Sequence, residues 1–157
     1  MLFTDQLNNT IELTSYPKRI ISLVPSQTEL LWDLGLRDEL VGITKFCIHP
    51  DELFRSAKRV GGTKKFNFDV IRSLKPDLII GNKQENEQLQ IEALGKEFPV
   101  WMSDIFNLDD ALKTITAIGN LVNKTDKAIE FTDYIKSSFN RIEKINKSVL
   151  YLIWKGP

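Results

Sequence analysis

The chain has 157 residues, 42% hydrophobic and 27% charged, enough apolar material for one sizeable core. Its 21 Lys and Arg balance its 21 Asp and Glu, and no basic block extends beyond Lys64-Lys65, which argues against a nucleic-acid surface. One cysteine excludes an intramolecular disulfide, and no run of about 18 apolar residues is present to span a membrane.

Residues 1–26 lack a basic stretch followed by a long apolar one, so no leader is read and cytoplasmic residence stays open. "RIISLV" (19–24) reads as a buried strand. "PSQTELLWDLGL" follows with Ser26 as N-cap, Glu29 three residues on and Gly35 as stop signal. "ELVGIT" (39–44) is a second strand, and "NFDVIRSLKP" (67–76) a short helix capped by Asn67. "DLIIG" (77–81) is apolar throughout, as a strand covered on both faces should be. "ENEQLQIEALGKE" (85–97) reads as a helix, "FPVWMS" (98–103) as a strand, and Asn107 caps a helix to about Val122.

Strands alternating with helices over short connections predict a parallel sheet in an α/β layer with right-handed crossovers. The ligand side of such a sheet is the carboxyl ends of the strands. Here those ends are Pro25-Ser26, Lys45 to Pro50, Gly61 to Lys64, Asn82-Lys83 and Ser103-Asp104.

From Thr125 to about Asn146 the spacing of Ala128, Phe131, Ile135, Phe139, Ile142 and Ile145 predicts one amphipathic helix. At 1.5 Å per residue it is roughly 30 Å long. "SVLYLIW" (148–154) then reads as a strand with no following sequence to cover it, the start of a truncated second domain. The alternative is a last strand of the same sheet.

The only cysteine and the only histidine lie together in "KFCIHP" (45–50). Two such ligands fall short of the four that a structural zinc site requires, so no metal site is assigned. In an extended segment residues i and i+2 share a side, which would bring Cys47 and His49 together as a thiol–imidazole dyad. The plainer reading is a small half-buried cysteine and a loop histidine. "VGGTKK" (60–65) lacks the Gly-Lys-Ser/Thr order of a phosphate loop, and its glycines predict a tight loop at the sheet rim with room for a ligand. Trp32, Trp101 and Trp154 fall within helix or strand patterns and read as core or interface residues. Phe46, past a strand end, is placed to face a cleft. Asp69 suits the positive end of its helix or serves as a docking carboxylate.

"PKRIISLVPSQTELLWDLGL", "ELVGITKFCIHPDE" and "KRVGGTKKFNFDVIRSLKPDLIIGN" together resemble the amino-terminal lobe of the helical-backbone (class III) substrate-binding proteins of ABC importers. These are receptors for cobalamin, ferric siderophores and haem. The resemblance implies a three-layer Rossmann-like α/β lobe at 1–124, a long connecting helix at 125–146 and the first strand of a second lobe at 147–157. It implies no catalytic activity, no cofactor, a metal-chelate ligand, an ABC permease as partner and a periplasmic or extracytoplasmic setting. Carried over by position, Pro25, Ser26, Phe46, Cys47, Thr63, Lys64 and Asn82 become ligand-binding residues, and Asp69 meets arginines of the permease. Thr63 and Asn82 stand where cobalamin receptors can place tryptophan. Cobalamin is the first ligand that the resemblance suggests, with ferric siderophore and haem beside it. Cys47 and His49 remain available as axial ligands to a bound cobalt or iron. A thiol-dependent enzyme using that pair, or an interaction domain acting through the long helix, are the competing classes.

Overall fold

The computed structural model describes residues 1–143 and Ser148. Within it a small antiparallel hairpin, β1 (Leu2–Thr4) and β2 (Thr10–Glu12), precedes the main sheet. The chain continues β3 (Ile20–Ser22), α1 (Pro25–Asp33), β4 (Leu40–Ile43), α2 (Asp51–Ser56), β5 (Lys58–Arg59) and α3 (Phe68–Leu74). It completes the order with β6 (Leu78–Asn82), α4 (Gln88–Gly95), β7 (Val100–Ser103), α5 (Leu108–Leu121) and α6 (Thr125–Asn140). Residues 149–154 of the expected strand, Trp154 among them, and residues 144–146 of the expected helix, Ile145 among them, lie outside the described residues.

The five-stranded sheet runs β5-β4-β3-β6-β7 with every pairing parallel. The chain moves outward from β3 through β4 to β5, returns to pair β6 on the other side of β3, and continues to β7. That reversal is the topological switch of a doubly wound sheet, and it opens a crevice between the carboxyl ends of β3 and β6.

Period-two alternation divides the strand side chains between two cores. Ile20, Leu40, Ile43, Leu78, Ile80 and Trp101 face one side, with Leu31 of α1, Leu34 at its C-cap, and Ile118 and Leu121 of α5. Ile21, Leu23, Ile79, Val100 and Met102 face the other, with Ile71 of α3 and Leu94 of α4. The molecule is therefore three layers, helix–sheet–helix, a Rossmann-like α/β fold as the strand–helix alternation predicts. Trp101 is a core residue, 1% exposed.

Asn67 and Asn107 cap α3 and α5, each accepting through its side-chain oxygen from the amide three residues on. Ser26 does not cap α1. Proline at the first helical position starts the helix at residue 25, the N-cap is Val24, and no side chain caps the end. The helix expected over 85–97 is shorter, because Asn86 is drawn into bonds with other segments.

The hairpin, α2 and β5 are too short to carry a readable period. The hairpin's connection seals the outer edge of β7. Asp5 accepts from the amides of Leu7 (2.9 Å), Asn9 (2.8 Å) and Met102 (3.3 Å) and from the Asn9 side chain (3.1 Å). Gln6 donates its amide to the Met102 carbonyl (3.1 Å) and accepts the Asp104 amide (2.8 Å). An open strand edge, with its unpaired amides and carbonyls, is thereby closed.

In α6, Ala128 packs into the core and Phe131 lies partly against it, whereas Phe139 is 52% exposed. The helix ends at Asn140 with Arg141 as its C-cap and residues 141–143 are not helical, so the single helix expected from Thr125 to about Asn146 is corrected to Thr125–Asn140; Ile142, 64% exposed, lies past its end. The apolar stripe begins against α5 and ends in solvent.

Candidate functional site

Five loops converge at the carboxyl ends of the strands. Pro25 and Ser26 open α1 directly above β3, Pro25 half-buried and Ser26 exposed. Beneath them Gln27, 3% exposed, reaches across the sheet and donates to the Gly81 carbonyl (3.0 Å) and to the Ser103 hydroxyl. Asn82 at the end of β6 donates to the same hydroxyl (3.0 Å). Gln27, Asn82 and Ser103 thus make a polar floor joining α1 to β6 and β7. The Oε1 atom of Gln27 is buried without a protein donor.

The loop after β4 turns at once. The Cys47 amide bonds the Thr44 carbonyl (3.1 Å) and the Ile48 amide bonds Phe46 (3.0 Å), so residues 45–48 are not an extended strand. The turn drives Cys47 into the core, fully buried, with its sulfur 3.1 Å from the Thr28 hydroxyl and 3.2 Å from that of Thr44. His49 is exposed. The i, i+2 alternation that would pair them fails because the turn breaks it. Cys47 belongs to the core, and its assignment as a ligand-binding or axial residue is corrected accordingly. Phe46 and Ile48 are turned outward instead, 52% and 53% exposed.

The loop after β5 is the tight rim turn that its glycines predict. Gly61 has φ +115°, and a Cβ there would meet the Lys65 carbonyl. The Gly62 amide closes the turn on the Lys65 carbonyl at 2.9 Å. Two residues from the segment after β6 hold this turn in place. The Asn86 side chain donates to the Thr63 carbonyl (2.8 Å) and accepts from the Asn82 amide (2.8 Å). One helical turn on, Gln90 donates to the Lys64 carbonyl (2.7 Å) and accepts from the Phe66 amide (2.7 Å).

Between the β4 and β5 loops lies an open groove of about 460 Å³, lined by Lys45, Phe46, Gly62, Thr63, Lys64 and Lys65. The Phe46 ring passes beside Gly62, and the Lys45 ammonium stands 5.1 Å from the centre of that ring. On the far side of the crevice Phe106, 75% exposed, rises from the loop after β7, while Lys83 is paired with Asp104 at 2.8 Å.

The structure therefore gathers Pro25, Ser26, Phe46, Thr63, Lys64 and Asn82 at one end of the sheet and leaves Cys47 beneath it. Sequence reasoning missed Phe106, Asn86 and Gln90. Phe106 carried the same signal as Phe46, an aromatic residue between a strand end and a helix cap. The two amides had no local signal, since their partners lie 23 and 26 residues away.

Asp69 stands on the first turn of α3 with its side chain 95% exposed, 3.3 Å from Arg72. Arg72 commits its fork to Glu97, with both contacts at 2.8 Å. These bonds hold the Glu97 carboxyl below its ordinary range and push Arg72 up. Among the described residues no group of three or more His, Cys, Asp or Glu is placed to hold a metal ion, and no helix is long and apolar enough to cross a membrane.

Residues 20–151 match the family described as periplasmic binding protein. The chain belongs to that family. It is 28% identical over 150 residues to the uncharacterized ABC transporter substrate-binding lipoprotein YvrC of Bacillus subtilis, covering 92% of this chain and 47% of that one. The periplasmic vitamin B12 binding protein BtuF of Vibrio cholerae superposes with a TM-score of 0.69 at 28% identity, over 78% of this chain and 49% of its own. The siderophore binding protein BauB, solved with acinetobactin and ferric iron, gives a TM-score of 0.79 at 20% identity over 90% and 52%, a likeness of fold. The chain covers between about a third and a half of the length of the curated relatives it matches.

Proposed function

We propose that this chain is the first lobe of an ABC-importer substrate-binding protein that captures cobalamin, a ferric siderophore or haem between two lobes. In this reading residues 1–124 form the lobe, 125–146 the connecting segment that α6 begins, and 147–157 the start of the second lobe. The family description and the likeness to a lipoprotein support a periplasmic or extracytoplasmic setting. The observation that carries the reading is the carboxyl-end surface itself. Phe46, Ile48 and Phe106 stay exposed on the face where a doubly wound sheet binds ligands, around a small-residue rim turn and a fixed polar floor.

The work is capture rather than bond-making. The groups at the crevice offer stacking, hydrogen bonds and charge, which suit capture. The rim turn is held by Asn86 and Gln90 before ligand arrives, so little ordering remains to be done on binding. The exposed far end of the α6 stripe, at Phe139, suits cover by a second body. Asp69, exposed and only lightly held by Arg72, is the carboxylate offered to arginines of the permease.

Calorimetric titration of the full-length gene product with cyanocobalamin, ferric siderophores and haemin tests the reading. Sub-micromolar binding of one of them is expected, and Cys47→Ala leaves that affinity unchanged. Heat with none of them sinks the receptor assignment.

A further inference from the structure

The hairpin keeps one edge open. Backbone bonds between Met1 and Leu13 and between Asp5 and Asn9 bracket its ladder. Antiparallel pairing alternates, so Phe3 and Ile11 exchange bonds while the backbone groups of Thr10 and Glu12 turn away from β1. On the β1 side the outward Thr4 carbonyl is taken by the Trp101 indole (3.3 Å). On the β2 side the amides and carbonyls of Thr10 and Glu12 have no partner among the described residues.

That edge borders a groove of about 420 Å³ between β2 and α4. Thr10, Ile11 and Glu12 all line it. Side chains of consecutive strand residues alternate between faces, so it is the backbone edge that the groove meets. Its other wall is apolar, with Ile91, Phe98, Val100 and Met102. Gly95 keeps that wall low. Among the described residues no other segment comes within 4 Å of the Cβ it lacks, so packing within the chain does not demand the glycine.

Charge selects the occupant. Glu12 and Glu92 border the groove, no lysine or arginine lines it, and neither carboxylate has an ion-pair partner among the described residues. Asp5 is already filled by the amides of Leu7, Asn9 and Met102. A second copy of this chain laid on the same edge would bring two acidic grooves together, and like charges repel. A strand carrying lysine or arginine opposite Glu12 is attracted instead, and the methylene stem of that side chain covers the apolar wall.

We infer that β2 accepts an extended, lysine- or arginine-bearing segment of a partner protein as the third strand of the hairpin sheet, held by the backbone groups of Thr10 and Glu12. Main-chain bonds supply the affinity of such an addition, and the charged and apolar walls supply its selectivity. The site shares no residue with the groove at Phe46 or with Asp69.

The full-length gene product, labelled for amide NMR, is titrated with a short blocked peptide of alternating lysine and valine. The same peptide with glutamate for lysine, and the lysine peptide with alternate amides N-methylated, serve as comparisons. The lysine peptide is expected to shift the Thr10 and Glu12 amides and slow their hydrogen exchange about fivefold, while the other two leave both unmoved. Thr10→Pro removes an outward donor that an edge strand can spare, and Gly95→Leu fills the groove. Each should abolish the response while the melting temperature holds. Glu12→Gln and Glu92→Gln should each weaken binding about threefold, and added salt should weaken it too. Amides of β2 that ignore the lysine peptide, or respond equally to all three peptides, overturn the inference. So do amides already protected in the protein alone: protection lost on dilution marks a second copy, and protection that persists marks another part of the same chain.

Discussion

At the scale of single residues, Asn86 does the most to shape the crevice. Its side chain fastens the Thr63 carbonyl and the Asn82 amide, and so joins the β5 and β6 loops. Asn86→Ala leaves both groups short of a partner in a mostly buried place, at a cost of about 2–3 kcal/mol. Ligand affinity should fall with it. Gly81 supplies the space: a Cβ there would come 2.6 Å from the Asn86 side-chain oxygen and 2.8 Å from the Met102 sulfur. Gly81→Ala is therefore expected to destabilise through the same contact, and the double variant should lose less than the two singles together. Denaturant unfolding of the four proteins measures this; strict additivity would separate the two residues. Neither role was legible in the sequence, because a buried amide bonded to a distant backbone leaves no periodic or motif signature. Cys47 shows the opposite failure. Its spacing from His49 looked chemical, and only the turn at 44–47 reveals a core thiol held by two threonine hydroxyls.

Among the elements, α3 and the residues closing α4 are tied by Arg72 and Glu97 across 25 positions of sequence. Hydrogen bonds from Arg72 depress the Glu97 carboxyl in the folded state. A depressed carboxylate stabilises the fold above its unfolded pKa, near 4.3, and loses that contribution as pH falls through the folded value. Glu97→Gln should therefore melt below the parent protein at neutral pH, and the gap should close as pH drops below about 4. Thermal melts across a pH series read this directly; a gap that widens in acid contradicts it. Both partners are partly exposed, so the difference is small. The element order, the parallel sheet and two of the helix caps were legible, because buried strands read as continuous apolar runs and asparagine caps sit just ahead of their helices. The cap of α1 was misread because Ser26 and Glu29 match a capping box, while the proline ahead of them starts the helix two residues sooner than that box would. The two-residue β5 and the six-residue α2 are fixed by the sheet they join, so their own sequences carry little signal.

For the whole molecule, the two-lobe proposal sets an expectation about size. A one-sided groove covers about half of a ligand that a closed cleft would bury almost entirely. The 157-residue chain alone should therefore bind the best ligand about a hundredfold more weakly than the full-length gene product. Parallel titrations compare the two, and equal affinities would place the entire site in this half. The seal on β7 has a consequence in time. Asp5 meets an amide 97 residues further along the chain, so the edge closes only once nearly the whole sheet has been laid down. Until then the last strand presents an unguarded ladder to any neighbouring chain in the same unfinished state. The β7 edge is thus protected against strand exchange once it is sealed, while its exposure during synthesis depends on how quickly the first residues find that strand.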